Sequence, residues 1–119
     1  SNKGFTLHCT IRTGETLHCP DLAICTILSN ALENAMHSLE NLESGDKWTR
    51  LSLTQKDHQL LLEIENPVDK MPRFIDGIPA SAQKGHGIGV KSIVYYVEQL
   101  HGQYHFSVLN HTFILRIIV

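Results

Sequence analysis

The sequence has few cysteines, little net charge and no long apolar run. Its three cysteines form no C-x-x-C pair, which argues against a disulfide scaffold and predicts reduced, buried thiols. The net charge is −2, so nothing favours nucleic acid or a membrane surface as a partner. No apolar run approaches a membrane span, and no signal peptide opens the chain. These absences predict a soluble, cytosolic domain.

Length and composition predict one globular domain. The chain has 119 residues, of which 42% are apolar and 18% charged, and it contains no internal repeat or low-complexity tract. We expect a single domain over residues 1–119, in which Ser1 and Asn2 are a cloning remnant. The domain could be a piece of a longer protein.

Apolar periodicity predicts the order strand, helix, two strands, long loop, helix, two strands. The predicted strands are 4–12, 48–54, 59–65, 103–109 and 112–118. The first helix begins at Pro20-Asp21 and ends near Leu42, and the second follows the glycines and stops at Gly102. Residues 67–84 are expected to be a long functional loop without a clear period. Hairpins exclude an all-parallel sheet, so we predict a two-layer α/β sandwich with a mixed sheet covered by helices on one face.

The polar side of the first helix carries an unusual number of asparagines. Asn30, Asn34 and Asn41 lie opposite an apolar side, which comprises Ile24, Leu28, Ala31, Leu32, Ala35, Leu39 and Leu42. A solvated face is the plain interpretation, but asparagine is a poor residue inside a helix. Asn30 and Asn34 are i,i+4 neighbours, so their amides point the same way. Neutral oxygens of this kind suit a hard cation such as Mg²⁺.

The segment "KGHGIGVKS", from Lys84 to Ser92, leads into the second helix. A helix N-terminus offers free N–H groups, and glycines let a ligand approach the backbone closely. Together with Lys84 and Lys91 they predict an anion site, although a plain glycine turn stays open. The segment is neither a P-loop nor a dinucleotide fingerprint. A third polar feature is Asn66-Pro67, at the end of a predicted strand where the long loop begins.

These three features together resemble the ATP-binding domain shared by gyrase, MutL, heat-shock chaperones and histidine kinases, called the Bergerat or GHKL fold. The resemblance covers nearly the whole chain. Within that superfamily, "LSNALENA", the Asn-Pro pair after a strand and "HGIGVKSI" most resemble the quorum-sensing type of bacterial sensor histidine kinase. The fold that the resemblance implies is the two-layer sandwich, with an ATP lid over residues 68–84.

The resemblance implies a role for each residue that matches a family motif. Asn34 matches the asparagine that binds Mg²⁺ and, through it, the ATP phosphates. Asn30 stands where gyrase-like ATPases keep a glutamate that activates water, and an amide cannot act as that base. Asn66 stands where most members have the aspartate that accepts a hydrogen bond from the adenine amino group.

The phosphate end of the implied nucleotide site comes from the glycine segment and the first helix. His37 occupies the position of a phosphate-contacting lysine in many histidine kinases. The second glycine box and its neighbours are implied to contact the nucleotide through Lys84, Gly85, His86, Gly87, Ile88 and Gly89.

The implied activity is protein histidine kinase, with ATP and Mg²⁺ as cofactors. The γ-phosphate would pass to a histidine on an upstream dimerisation helix, which this chain lacks, so no catalytic residue lies in the fragment. The parent would then phosphorylate an aspartate on a response regulator. We expect the parent to be a homodimeric receptor of the inner or plasma membrane with this domain in the cytoplasm. The isolated domain is expected to be a monomer.

Three alternatives to the kinase interpretation stay open. His8, Cys9, His18, Cys19, Cys25 and His86 could suggest zinc, but no pair has structural-zinc spacing. A nucleotide-binding-deficient scaffold domain is the second alternative, since Asn66, His37 and the missing first glycine box depart from the family pattern. The third is an anti-sigma-factor serine kinase of the same fold. His86 could also be a catalytic base, although shaping the turn or contacting phosphate is favoured.

Overall fold

The protein is described by a computed structural model over residues 5–14, 21–43, 45–80 and 88–119. In these ranges it forms two helices and seven strands. In chain order they are β1 (Phe5–Arg12), α1 (Asp21–Glu40), β2 (Lys47–Lys56), β3 (Gln59–Pro67), β4 (Phe74–Ile75), β5 (Ile78–Pro79), α2 (Ile88–Gln99), β6 (Gln103–Leu109) and β7 (Thr112–Ile118). The predicted strands and both helices are therefore confirmed, with α1 ending two residues earlier than expected.

Five strands form one mixed sheet in the order β1-β2-β3-β7-β6. The β1–β2 pair is parallel, and the other three pairs are antiparallel. A parallel pair needs a crossover connection, which α1 supplies because it lies between β1 and β2 in the chain. The turn between β6 and β7 falls at Asn110 and His111, as predicted, and both have positive φ angles, 51° and 59°.

One face of the sheet packs against both helices and forms the core. Alternate residues of the central strands are buried on this face, namely Leu51 and Leu53 on β2, Leu60, Leu62 and Ile64 on β3, and Phe113, Leu115 and Ile117 on β7. The helices meet them with Ile24, Ile27, Ala31 and Ala35 from α1 and with Val90, Ile93 and Val97 from α2. The predicted two-layer sandwich is confirmed, with alternation on each strand directing every second side chain inward.

The opposite face of the sheet carries charged pairs. Arg116 donates from both Nε and Nη2 to Glu63 Oε2, each at 2.8 Å. Arg50 lies 3.7 Å from Glu65 Oε2 and 5.1 Å from the centre of the Trp48 ring. Exposed pairs of this kind stabilise little individually. They give this face a polar character, which suits a sheet whose two helices lie on the other face.

The edge strand β1 is far more exposed than its alternating pattern predicts. Leu7 and Ile11 are 51% and 60% exposed, although they lie beside Thr49 and Leu53 on the helix side of the sheet. The helices approach the sheet most closely at β2, β3 and β6, so the apolar side of the edge strand β1 extends past them. Cys9 on β1 and Cys25 on α1 are free and exposed, so the prediction of buried thiols was wrong for both. Cys19 lies outside the described residues.

The end of α2 differs by one residue from the prediction. His101, with φ of 57°, takes the left-handed position that Gly102 was expected to fill. The His101 N–H donates to the Glu98 carbonyl at 3.0 Å, and the Gly102 N–H donates to the Val97 carbonyl at 2.9 Å. This pair of bonds is a Schellman motif. Gly102 is required for another reason, since a Cβ there would meet the backbone oxygen of Ile118.

The loop predicted over residues 67–84 contains regular structure. Pro67 is the last residue of β3, and β4 and β5 form a separate two-stranded ladder. Asp76 and Gly77 make its turn, with φ angles of 53° and 78°, as a tight hairpin requires. The prediction of an irregular loop was therefore wrong for residues 74–79, and residues 81–84 lie outside the described part. In the described chain, neither helix combines the length and apolarity that a membrane span requires.

Candidate functional site

The asparagines of α1 meet the first turn of α2. Asn30 and Asn34 are both partly buried. A Cβ placed on Gly89 would lie 3.5 Å from Asn30 Oδ1 and 3.7 Å from Asn30 Cβ, so the start of α2 lies directly against the Asn30 side chain. The structure thus brings the asparagine motif and the end of the glycine motif together.

Part of the glycine motif lies outside the described residues. Lys84, Gly85, His86 and Gly87 precede the described start of α2, and of Ile88 only the backbone is described. Gly89 lies inside the first turn of α2. The described part of the motif is therefore the helix start, where free N–H groups are expected.

A cavity of about 470 Å³ opens between the second half of α1 and the chain that follows β3. Asn34 and His37 line it from the helix, Asp69 and Lys70 from the other side, and Phe113 at the sheet. This volume lies in the range of small-molecule sites, about 300–1,000 Å³. Two predicted site residues, 34 and 37, therefore face one space of a size that suits a ligand.

The chain after β3 is held by contacts with two other segments. The Glu43 N–H, just after α1, donates to Asp69 Oδ2, and Lys70 Nζ lies 4.0 Å from Glu43 Oε1. The Val68 N–H donates to the carbonyl of His111, in the turn between β6 and β7, at 2.9 Å. These contacts fix the first residues of the predicted lid segment. The sequence alone does not reveal these contacts, because residues 43 and 69 are far apart in the chain and share no motif.

Asn41 is explained by the end of α1. Its side-chain Nδ2 donates to the His37 carbonyl at 3.0 Å, and its backbone N–H donates to the Ser38 carbonyl at 3.2 Å. Both bonds satisfy carbonyls that the last helical turn leaves free. The third asparagine of the stripe is therefore accounted for by helix termination.

Asn66 lies near the end of β3 and is 1% exposed. Its Nδ2 donates to the Pro67 carbonyl at 3.2 Å. The β3–β7 register places Asn66 opposite Phe113, and Phe113 is the residue by which the cavity reaches the sheet. Asn66 is therefore the strand neighbour of a cavity residue but is itself closed off from solvent.

The family model described as "GHKL domain" matches residues 20–119. This range includes every predicted site residue. The chain belongs to the GHKL domain family. Its α/β sandwich, with a mixed sheet and two helices, is the fold expected of such a domain.

Several histidine kinases are among the solved structures with a similar fold. This GHKL domain matches the histidine kinase AdeS of Acinetobacter baumannii with a TM-score of 0.72 and 16% identity, over 99% of this chain and 55% of AdeS. It matches the catalytic domain of histidine kinase ThkA with a TM-score of 0.74 and 10% identity, over 99% of this chain and 79% of that one. It matches full-length ShkA in complex with AMPPNP with a TM-score of 0.70 and 16% identity, over 99% of this chain and 26% of ShkA.

These likenesses are in fold, and they concern one part of larger proteins. The GHKL domain spans about half of the AdeS chain and about a quarter of ShkA. No curated protein matches the sequence.

The described part of the GHKL domain contains no cluster of the side chains that commonly bind zinc. Among the residues described, no group of three or more His, Cys, Asp or Glu side chains could hold a metal ion. His18, Cys19 and His86, which the zinc alternative uses, lie outside them.

Proposed function

We propose that residues 1–119 form a single domain that binds Mg-ATP and serves as the catalytic domain of a sensor histidine kinase of the quorum-sensing type. The observation that carries this proposal is the meeting of Asn30 on α1 with Gly89 at the start of α2, next to a cavity that Asn34 and His37 line. Amide oxygens, a helix N-terminus and a ligand-sized cavity together suit a metal-bound polyphosphate.

The donors present fit Mg²⁺ and a triphosphate. Asn34 offers a neutral oxygen, which Mg²⁺ accepts together with water and phosphate oxygens. When bound, the ion would neutralise phosphate charge. The N–H groups of Gly85, Gly87 and Gly89, with Lys84, would bind the phosphates, and His86 and Ile88 would complete that turn. His37 would face the phosphates from α1, and Asn66 would accept a hydrogen bond from the adenine.

Asn30 favours a kinase over an ATPase. An amide has no basic lone pair for a proton, so this side chain cannot activate water for attack on the γ-phosphate. The phosphoryl group would instead move to an imidazole nitrogen, with cleavage of the bond to the β,γ-bridging oxygen. That imidazole would belong to an upstream dimerisation helix of the parent, a membrane-anchored homodimer, and the next acceptor would be an aspartate of a response regulator. Full-length ShkA, which contains this fold, was solved in complex with AMPPNP, and that complex supports the proposal of a nucleotide ligand.

The second candidate is a scaffold domain that does not bind nucleotide. The burial of Asn66, at 1% exposure, favours it, because a base can reach that amide only after neighbouring side chains move. Calorimetric titration of ATP with Mg²⁺ and with EDTA separates the candidates. We expect binding that depends on Mg²⁺. The absence of heat at millimolar ATP with Mg²⁺ present, confirmed by an unchanged melting temperature, would contradict the proposal and favour the scaffold.

Gly89→Ala is expected to weaken Mg-ATP binding about 2- to 10-fold, the effect of one disturbed hydrogen bond. The added methyl group would sit 3.5 Å from Asn30 Oδ1, which is ordinary contact, and Gly89 has no positive φ. The fold should therefore tolerate the change, and its free energy of unfolding should be equal or up to about 1 kcal/mol higher, because alanine favours a helix. Titration calorimetry and urea unfolding measure the two effects. A less stable protein with unchanged affinity would assign Gly89 a purely structural role.

A further inference from the structure

Two polar side chains are buried in the otherwise apolar core of the described residues. Thr49 on β2 and Asn66 on β3 are each 1% exposed. Every other residue buried to that degree in the described chain is hydrophobic. Polar groups in a core are normally hydrogen-bonded, so an exception calls for an explanation.

The two side chains are cross-strand neighbours. In the β2–β3 register Arg50 lies opposite Glu65, which places Thr49 opposite Asn66 at the next position. Both side chains point to the helix-covered face, because Leu51 and Ile64, two residues away on each strand, are buried in the core on that face. Directly opposed residues on one face lie within side-chain reach of each other. Asn66 and Thr49 therefore form one polar spot at the edge of the core.

The hydrogen-bonding capacity of this spot is only partly used. Thr49 Oγ1 is buried and has no hydrogen-bond partner among the described residues. Asn66 Nδ2 donates to the Pro67 carbonyl. The other end of the amide, Oδ1, can therefore accept a hydrogen bond from a ligand. A hydroxyl that can donate thus lies next to a carbonyl that can accept.

This pattern matches the edge of a 6-aminopurine. Such a base presents an amino donor next to a ring-nitrogen acceptor, whereas a 6-oxopurine presents an acceptor next to an N–H donor. An acceptor at Asn66 Oδ1 suits the first arrangement and opposes the oxygen of the second. The Thr49 hydroxyl can donate to the ring nitrogen directly or through one bound water.

We propose that Thr49 is a specificity-determining residue of the nucleotide site, where its hydroxyl and Asn66 together recognise the 6-aminopurine edge. This inference rests on the proposed function. Phe113 lines the cavity and lies opposite Asn66 on β7, so movement of its side chain opens the cavity toward the pair. The buried hydroxyl then gains a hydrogen-bond partner, which it lacks among the described residues.

The test is Thr49→Val, which removes the hydroxyl and keeps the shape of the side chain. The affinity for Mg-ATP should fall about 3- to 10-fold, as loss of one hydrogen bond predicts. The affinity for Mg-ITP, the 6-oxo analogue, should change less than about twofold. The ratio of the ATP affinity to the ITP affinity should therefore fall by nearly as much as the ATP affinity itself. Without nucleotide, the melting temperature should not fall, because the variant removes a buried hydroxyl that has no hydrogen-bond partner among the described residues.

Two further variants keep the test decisive. Thr54→Val on the same strand changes a partly exposed threonine of the opposite sheet face and should leave both affinities unchanged. Thr49→Ser retains the hydroxyl and should keep the ATP-to-ITP ratio even if packing suffers. If the unmodified protein binds no ATP, the proposed function fails and this inference with it. If it binds ATP but Thr49→Val leaves the affinities unchanged, or lowers both equally, only the role of Thr49 is overturned.

Discussion

Asn34→Ala is expected to lower the affinity for Mg-ATP by about 10- to 100-fold or more. Mutating a residue that only hydrogen-bonds to a metal ligand already has an effect of about that size, and Asn34 would be a ligand itself. Asn34 lines the cavity from α1 and would be the protein's oxygen ligand for Mg²⁺. The variant should fold at least as well, because alanine is the better residue inside a helix by several tenths of a kcal/mol, roughly 0.7 at most. Lower affinity with equal or higher stability is a combination that general damage to the protein does not produce.

The measurement is calorimetry with Mg²⁺ and with EDTA on the variant and on a control. Ser29→Ala changes an exposed residue of the same helix, at a position about 140° around the helix from Asn34. It should bind Mg-ATP like the unmodified protein. In EDTA, the unmodified protein and Asn34→Ala should differ little, because the ion that Asn34 holds is gone. An Asn34→Ala variant that keeps its Mg²⁺-dependent affinity would remove Asn34 from the site.

Gly102→Ala is expected to reduce the free energy of unfolding by about 1–3 kcal/mol, the usual effect of overpacking. A Cβ at this position would meet the backbone oxygen of Ile118 and would lie 2.5 Å from Val119 Cγ1. The backbone oxygen cannot turn away as a side chain could, so the end of α2 and the end of β7 must separate. Urea unfolding followed by circular dichroism measures the loss.

The neighbouring residue supplies an opposite control. His101 has a left-handed φ of 57°, which is costly for a residue with a Cβ, by about 1–2 kcal/mol. His101→Gly should therefore leave the protein equally stable or stabilise it by up to about 1 kcal/mol, after the larger chain entropy of glycine is subtracted. If Gly102→Ala were as stable as the unmodified protein, the close approach of Gly102 to Ile118 and Val119 would be wrong.

The features that local sequence determines were predictable. Strands β6 and β7 have the predicted bounds, 103–109 and 112–118, because alternation on both sides of a short polar turn leaves few other arrangements. The asparagine and glycine motifs could be assigned to one site from their likeness to a family, and the structure brings Gly89 close enough to Asn30 that an added Cβ would contact its side chain.

The features that depend on tertiary placement were not predictable. An alternating strand such as β1 has the same pattern at the edge of a sheet as in its centre, and only the position of the helices decides that Leu7 is exposed. Likewise, the sequence around Tyr95 does not show that this aromatic side chain on α2 is 56% exposed. The pairing of Thr49 with Asn66 depends on the β2–β3 register, since neither strand alone shows that two polar side chains meet in the core.

The edge position of β1 also bears on the exchange of backbone amides with solvent. Among the described strands, β1 pairs with β2 alone, and its side chains are largely exposed. Segments with few buried contacts open locally at a small fraction of the global free energy of unfolding. The amides of β1 should therefore exchange fastest in the sheet, well before those of β3 and β7. Each such opening uncovers the unpaired edge of β2, which then becomes a template for another chain.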